Sequence, residues 1–310
     1  MLSRVAEALY WMGRYLERAE HAARVLEAMR DVRLDLAEVD RDVADAQWHG
    51  ALRALAMPDL PLGRLILDPA EATSLLCSVS RARENARQVR EVISPQMWEE
   101  LNQRYWALRD AVGSRPNEDM LSQALTSIVS SCYLWDGVTD ASMIRGEGWL
   151  YLKLGKFVER TDGIARLLAV RLEDHANREA SRSQEAGDSS GDNVEWLALI
   201  KSFDALDAYR KAHPKRVDQT AVVTFMLFEV DFPRALRFST NTAADLSRRL
   251  LRLHPESGRA VERHFGRLAA RVEYAEPATL EGTGSVRFLR EVSADVNEAS
   301  GHLQKTFFLS

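Results

Sequence analysis

The segment "GRYLERAEHAAR" at residues 13–24 returns as "GKFVERTDGIAR" at residues 155–166. Gly13, Glu17, Arg18, Ala23 and Arg24 match Gly155, Glu159, Arg160, Ala165 and Arg166 at a constant offset of 142, and Arg14/Lys156, Tyr15/Phe157 and Glu20/Asp162 are chemical equivalents. Wound at about 100° per residue, Met12, Tyr15, Ala19, Ala22, Ala23 and Leu26 gather on one side, and Gly13, Glu17, Glu20, His21 and Arg24 on the other. The repeated unit is therefore an amphipathic, charged helix. Arg4 and Arg145 stand ahead of the two copies. Further on, the helix after Asp68 corresponds to one after Asp231, an offset near 163, and the added length is close to that of the polar stretch "NREASRSQEAGDSSGDN" at 177–193. A duplication explains both observations. It predicts two pseudo-equivalent helical halves, 1–145 and 146–310, packed into one bundle because the turn at 145–148 is too short to be a linker.

Helical spacing of apolar residues extends over nearly the whole chain, whereas the period-2 alternation of strands is scarce. The fold class is all-α, a large bundle of about ten helices. The pattern predicts helices near 2–38, 70–92, 96–112, 118–144, 148–176, 194–211, 216–229, 233–253, 256–274 and 285–307, with a shorter one near 46–56. Pro58, Pro61, Ser94-Pro95, "GSRPN" at 113–117, "RGEG" at 145–148, His213-Pro214, His254-Pro255 and Pro277 punctuate them. The stretch 177–193 has almost no large apolar residue to repay ordering, which predicts a flexible loop.

Apolar residues at 46% and charged residues at 28% are globular proportions, and 310 residues suffice for a real core. A formal charge of −5 argues against chain-wide attraction to nucleic acid or anionic lipid. The longest apolar run, "AVVTFMLF" at 221–228, is far shorter than the roughly 20 residues needed to span a bilayer, and it reads as a buried helix. Acidic residues appear too early in "MLSRVAEALYWMGRYLERAE" for a secretory signal. Cys77 and Cys132, far apart and without CxxC spacing, fit reduced thiols, so a cytoplasmic location is expected.

Two readings of the repeated helix remain open. Its charged face is either solvated and laced by Glu20 to Arg24 and Glu17 to His21, or it points into a cleft between the halves, where carboxylates and guanidiniums bind something. The second copy keeps the charge order Glu159, Arg160, Asp162, Arg166, whereas His21 is replaced by Gly163. A second cluster, "SRARENARQVR" at 80–90, sets Arg83, Arg87 and Arg90 on one stripe. Like charges at that spacing call for an opposing group: the Glu17/Glu20 face, or an anion held by bidentate arginine contacts. No Glu-x-x-His pair, HExxH or glycine-rich phosphate loop stands in the chain, so no metal and no cofactor is expected.

Taken together, "MLSRVAEALYWMGRYLERAEHAAR", "SRARENAR", "GWLYLKLGKFVERTD" and "DFPRALRF" resemble the alpha-E family of bacterial all-helical proteins over nearly the whole chain. The resemblance implies a setting beside, or fused to, a circularly permuted ATP-grasp protein and a transglutaminase-like peptidase, in a system that makes or modifies peptides or amide conjugates. Its charged positions carry over to Glu17, Arg18, Glu20 and Arg24, to Arg83, Glu84, Asn85 and Arg87, and to Arg145, Trp149, Glu159, Arg160 and Pro233-Arg234. The chain departs from the family at "ILDPAEATSLL", where an Asn-Pro-x-Ser helix start is expected. The expectation is a non-catalytic accessory or substrate-binding subunit of an ATP-grasp amide ligase, with Glu17, Arg18, Glu20, Arg24, Arg83, Glu84, Asn85, Arg87, Arg145, Glu159, Arg160, Asp162 and Arg166 as contact residues. The alternative is a stand-alone helical enzyme using paired glutamates on an amide or ester bond.

Overall fold

Helices α1 (Ser3–Leu36) and α7 (Glu147–Arg182) carry the two copies of the repeated segment and pack against each other along their length. In this computed structural model, which describes residues 1–36, 40–112, 116–182, 190–214, 217–276 and 283–309, they run parallel. Tyr10 lies beside Gly155, Glu17 beside Arg160 and Met29 beside Arg171, so the residue numbers of both helices rise together.

Parallel neighbours cannot be joined by a short turn, and a circuit of helices fills the interval. After α1 come α2 (Arg41–Leu55), the short α3 (Leu62–Leu67), α4 (Leu75–Gln88), α5 (Pro95–Asp110) and α6 (Glu118–Ser142). Contacts run from α1 to α4, α4 to α5, α5 to α6 and α6 back to α1, which closes a four-helix ring. After α7 come α8 (Ser190–Ser202), α9 (Leu206–Ala212), α10 (Gln219–Phe228), α11 (Leu236–Leu253), α12 (Gly258–Glu273) and α13 (Thr283–Phe307). A second ring closes in the same way, α7 to α11, α11 to α12, α12 to α13 and α13 to α7. α2 bridges the two central helices, and α8 lies on α1.

The fold is all-α, with thirteen helices and no strand among the described residues. Local chemistry sets the starts: Asp40, Ser74, Ser94, Asn117 and Asp218 each accept the backbone N–H three residues on, and Pro95 occupies the first turn after Ser94. The helix expected over 194–211 is two helices, because Asp204 sits in the left-handed region at φ 53°. The one expected from residue 70 begins at Leu75, since Asp68 and Glu71 first turn the chain by accepting from the Ala70 and Thr73 amides. The polar stretch expected to be a loop over 177–193 is helical at both ends, through Arg182 and from Ser190. Ala, Arg and Glu extend a formed helix at little cost even without burial; the middle, 183–189, lies outside the described residues.

Burial explains why α1 is so long and so alanine-rich. Packed by α7, α4, α6, α2 and α8, it buries Leu9, Tyr10, Met12, Ala19, Ala22, Ala23 and Leu26, and also Arg14, Glu17, Glu20 and Arg24. Neither side of it is a solvated face. No helix among the described residues is long and apolar enough to cross a membrane.

Candidate functional site: the interlocked helix pair

The central contact begins at two glycines. A Cβ on Gly13 would come 2.2 Å from the Leu152 carbonyl oxygen, and one on Gly155 would come 2.0 Å from that of Tyr10. Because Tyr10 and Leu152 are themselves separated by the offset of 142, the two approaches are one contact made twice, as around a two-fold axis parallel to the helices. Glycine inside a helix costs roughly 1 kcal/mol against alanine, and here it lets two backbones touch.

One turn on, the charges interlock by the same symmetry. Arg160 grips Glu17 with two bonds, Nε to Oε1 at 2.6 Å and Nη2 to Oε2 at 2.7 Å. Arg18, the equivalent of Arg160, grips Glu159, the equivalent of Glu17, at 2.6 and 3.1 Å. Arg14 adds a 2.7 Å bond to Glu159, and its counterpart Lys156 lies 3.9 Å from Glu17. Within each helix, Glu20 takes Arg24 at 3.0 Å and Asp162 lies 3.5 Å from Arg166. Each Glu-Arg dipeptide thus completes the other, and a parallel register with Gly13 against Leu152 satisfies all four charges together.

The two centres differ in what surrounds them. At Glu17, Arg234 from the segment before α11 lies 3.7 Å away and also bonds Glu20, while Arg160 donates to the Pro233 carbonyl at 3.2 Å. On the other side, Asp162 accepts from Ser293 and from Asn297 (3.1 Å) of α13, and Arg166 donates to the Ala54 carbonyl. His21 faces its own replacement, Gly163: the ring sits where a Gly163 Cβ would need to be, 3.0 Å from it, and stacks on Phe203 at 5.7 Å. The asymmetry seen between the copies is therefore a fit, since one imidazole fills space that two could not share.

Titration follows from this packing. Burial alone would raise the Glu17 carboxyl, but Arg160, Lys156 and Arg234 outweigh it and hold it well below the usual carboxylate range. Glu159 is lowered by Arg14 and Arg18 against the same opposing burial. Burial brings His21 down to about 4, with Arg234 and Arg166 assisting against the attraction of Glu17, so the ring is neutral at physiological pH. Beside the pair, Glu17, Glu20, Cys132, Asp136, Lys153 and Lys156 line a void of about 10 Å³. That is room for about one water. Burial also pushes the Cys132 thiol up, with Glu20, Asp136 and Glu17 adding to it, so it is no nucleophile at neutral pH.

The second cluster lies elsewhere. Arg83 donates to Asn102 of α5 at 2.7 Å and sits over Tyr105 and Trp98 at 4.6 and 5.4 Å. Arg87 pairs with Glu84 on the exposed side of α4, Asn85 is half-buried on the same helix, and Arg90, beyond the helix end, covers Trp98 at 4.8 Å. Neither Arg83 nor Arg87 opposes the Glu17/Glu20 face, because the side of α4 that bears them turns to α5 and solvent, while Ala82 and Ala86 are buried. Arg145 is exposed too, lying over Trp149 at 5.6 Å. Of the expected contact residues, the structure joins Glu17, Arg18, Glu20, Arg24, Glu159, Arg160, Asp162 and Arg166 along one helix pair and leaves Arg83, Glu84, Asn85, Arg87 and Arg145 outside it. Ser293, Asn297 and Asp136 belong to the network without having been expected. They lie on helices remote in sequence, with no motif to mark them.

An uncharacterized protein of Mycobacterium bovis and two of Mycobacterium tuberculosis are each 26% identical to the chain over 94% of its length. The chain spans only 34% of each of those relatives. No solved structure matches. Residues 1–308 match the family described as "a predicted alpha-helical domain with a conserved ER motif", and the Glu-Arg dipeptides at 17–18 and 159–160 stand at the centre of the interlocked pair: the chain belongs to the Alpha-E family.

Proposed function

We propose that this protein is a non-catalytic helical subunit that supports an ATP-grasp amide ligase in peptide synthesis or modification, by docking on the ligase or holding its substrate. The observation that carries the reading is the closure of the repeated charges on themselves. Each glutamate of the two Glu-Arg motifs already has its arginine across the helix pair, and the space beside them admits about one water. Such a pair makes a stiff frame for surfaces presented outside it. A paired-glutamate enzyme would need a carboxyl raised toward neutrality to act as acid, and Glu17 and Glu159 are both held ionised.

For the contact surface the proposal names the exposed Arg81 and Arg87 of α4 and Arg90 just past its end, with the half-exposed Trp106 of α5. The test is to co-express the chain with the ATP-grasp protein encoded nearest to it and to weigh the purified species by light scattering. A complex that weakens when Arg87 and Arg90 are both replaced by alanine is the expected result. Separate elution of the two proteins even with ATP and magnesium would refute a stable subunit. Arg83 is unsuitable for this test, because its removal disturbs the α4/α5 packing.

A further inference from the structure

Metal ligands sought along a single helix, as Glu-x-x-His or HExxH, would miss a set assembled from two. His264 of α12 and Glu298 and His302 of α13 form such a set. The His264 Nδ1 atom lies 3.7 Å from Glu298 Oε1, and the His302 Nε2 atom lies 3.8 Å from the same oxygen. The two imidazoles stack at 3.9 Å between centroids with planes 18° apart, and all three donor atoms fall within 4.8 Å of one another.

A tetrahedral zinc ion with bonds of about 2.0–2.1 Å sets its donors roughly 3.3–3.5 Å apart. The present spacings are longer and the two imidazoles lie face to face, so a shared ion needs His302, 39% exposed, to rotate out of the stack and Glu298 to follow by side-chain rotations. Glu298 is free to make them, since its side chain is 60% exposed, while His264 at 20% is anchored by packing. Two imidazoles and a carboxylate suit zinc among the divalent transition metals, and three protein ligands leave one coordination position for water or a donor from another molecule.

We propose that His264, Glu298 and His302 form a zinc-type metal site that staples α12 to α13 with one coordination position open to solvent. This site is independent of the subunit reading and stands apart from the Glu-Arg frame. It also revises the expectation that the chain holds no metal.

The test uses the full chain without a polyhistidine tag, stripped with chelator and titrated with zinc chloride against a chromophoric competitor. One equivalent bound at low micromolar concentration is expected. His264→Ala and His302→Ala should each weaken it by roughly tenfold or more, with the circular dichroism unchanged. His49→Ala, an exposed histidine beside Asp59, should leave it intact. Cobalt substitution should give the intense visible absorption of a tetrahedral ion. No uptake at about tenfold metal excess, or equal uptake by the two site variants, would overturn the proposal.

Discussion

The Glu17 and Glu159 centres are copies of one motif in two settings, and their difference separates what the motif does from what was built around it. Both bind the opposite arginine in a two-pronged grip, so the crossed pairing is the shared element. Glu17 is sealed, with Arg160 only 7% exposed and Arg234 added from the second ring; Glu159 is at a margin, with Arg18 38% exposed. A buried ion pair gains little net stability over apolar packing, because desolvation offsets most of the attraction, but it penalises every arrangement that leaves a charge alone. Here the excluded arrangements are a slipped register and an antiparallel pairing of α1 with α7.

The backbone contact should be the most sensitive point. Gly155→Ala places a methyl 2.0 Å from the Tyr10 carbonyl, and neither helix can yield without opening the pair. A loss of about 3 kcal/mol or more in urea denaturation, or no folded protein, is expected. Gly137→Ala makes the contrast, since nothing lies within 4 Å of that site, and it should be neutral or stabilising by up to roughly 1 kcal/mol.

Next come the two carboxylates. Glu17→Gln takes from the buried Arg160 its only carboxylate among the described residues and leaves Lys156 to Asp136 and Arg234 to Glu20, for an expected cost of about 3–5 kcal/mol. Glu159→Gln should cost less, about 1.5–3 kcal/mol, because Arg18 can turn to water and the buried Arg14 keeps the Ser300 hydroxyl at 3.4 Å. Equal costs would erase the distinction between the sealed and marginal centres.

Acid should probe the same difference. His21 titrates near 4 when folded against an ordinary value of 6.5, so between those values the unfolded chain binds more protons and stability rises with pH. Falling from pH 6.5 to 4 therefore removes the His21 contribution. The depressed carboxylates act lower still: their contribution is complete above the ordinary value of 4.5 and is lost as pH falls toward their folded pKa values. Midpoints of urea denaturation measured across this range should show the upper phase shrink in His21→Asn, leaving the part that the depressed His264 contributes, while the lower phase persists.

The smallest effects belong to α4. Arg83→Ala should cost about 1 kcal/mol through its lost stacking on Trp98 and Tyr105. Arg87→Ala removes an exposed pair with Glu84 and should leave denaturation unchanged.

The helical fold, the bounds of most helices and the recurrence of Glu17-Arg18 as Glu159-Arg160 were legible because period and repetition are properties of neighbours in the chain. What those residues touch was not. A match at an offset of 142 says that two helices are alike, and only packing decides whether they face solvent, a cleft or each other. Amphipathicity misled at α1, whose charged side is buried by a partner carrying the complementary charges. It misled again at Arg83, where three aromatic rings of α5 take the place of the expected carboxylates. His264 and Glu298 stand 34 residues apart on separate helices, a separation that no motif spans.

The most direct test of the interlocking account is a double-mutant cycle on Glu17 and Arg160, built from Glu17→Gln, Arg160→Gln and the pair together, read by urea denaturation. If each residue exists to satisfy the other, either single change should cost several kcal/mol, and the double should cost little more than one of them, a coupling of about 2 kcal/mol or more. Additive costs, or single variants as stable as the parent chain, would contradict it.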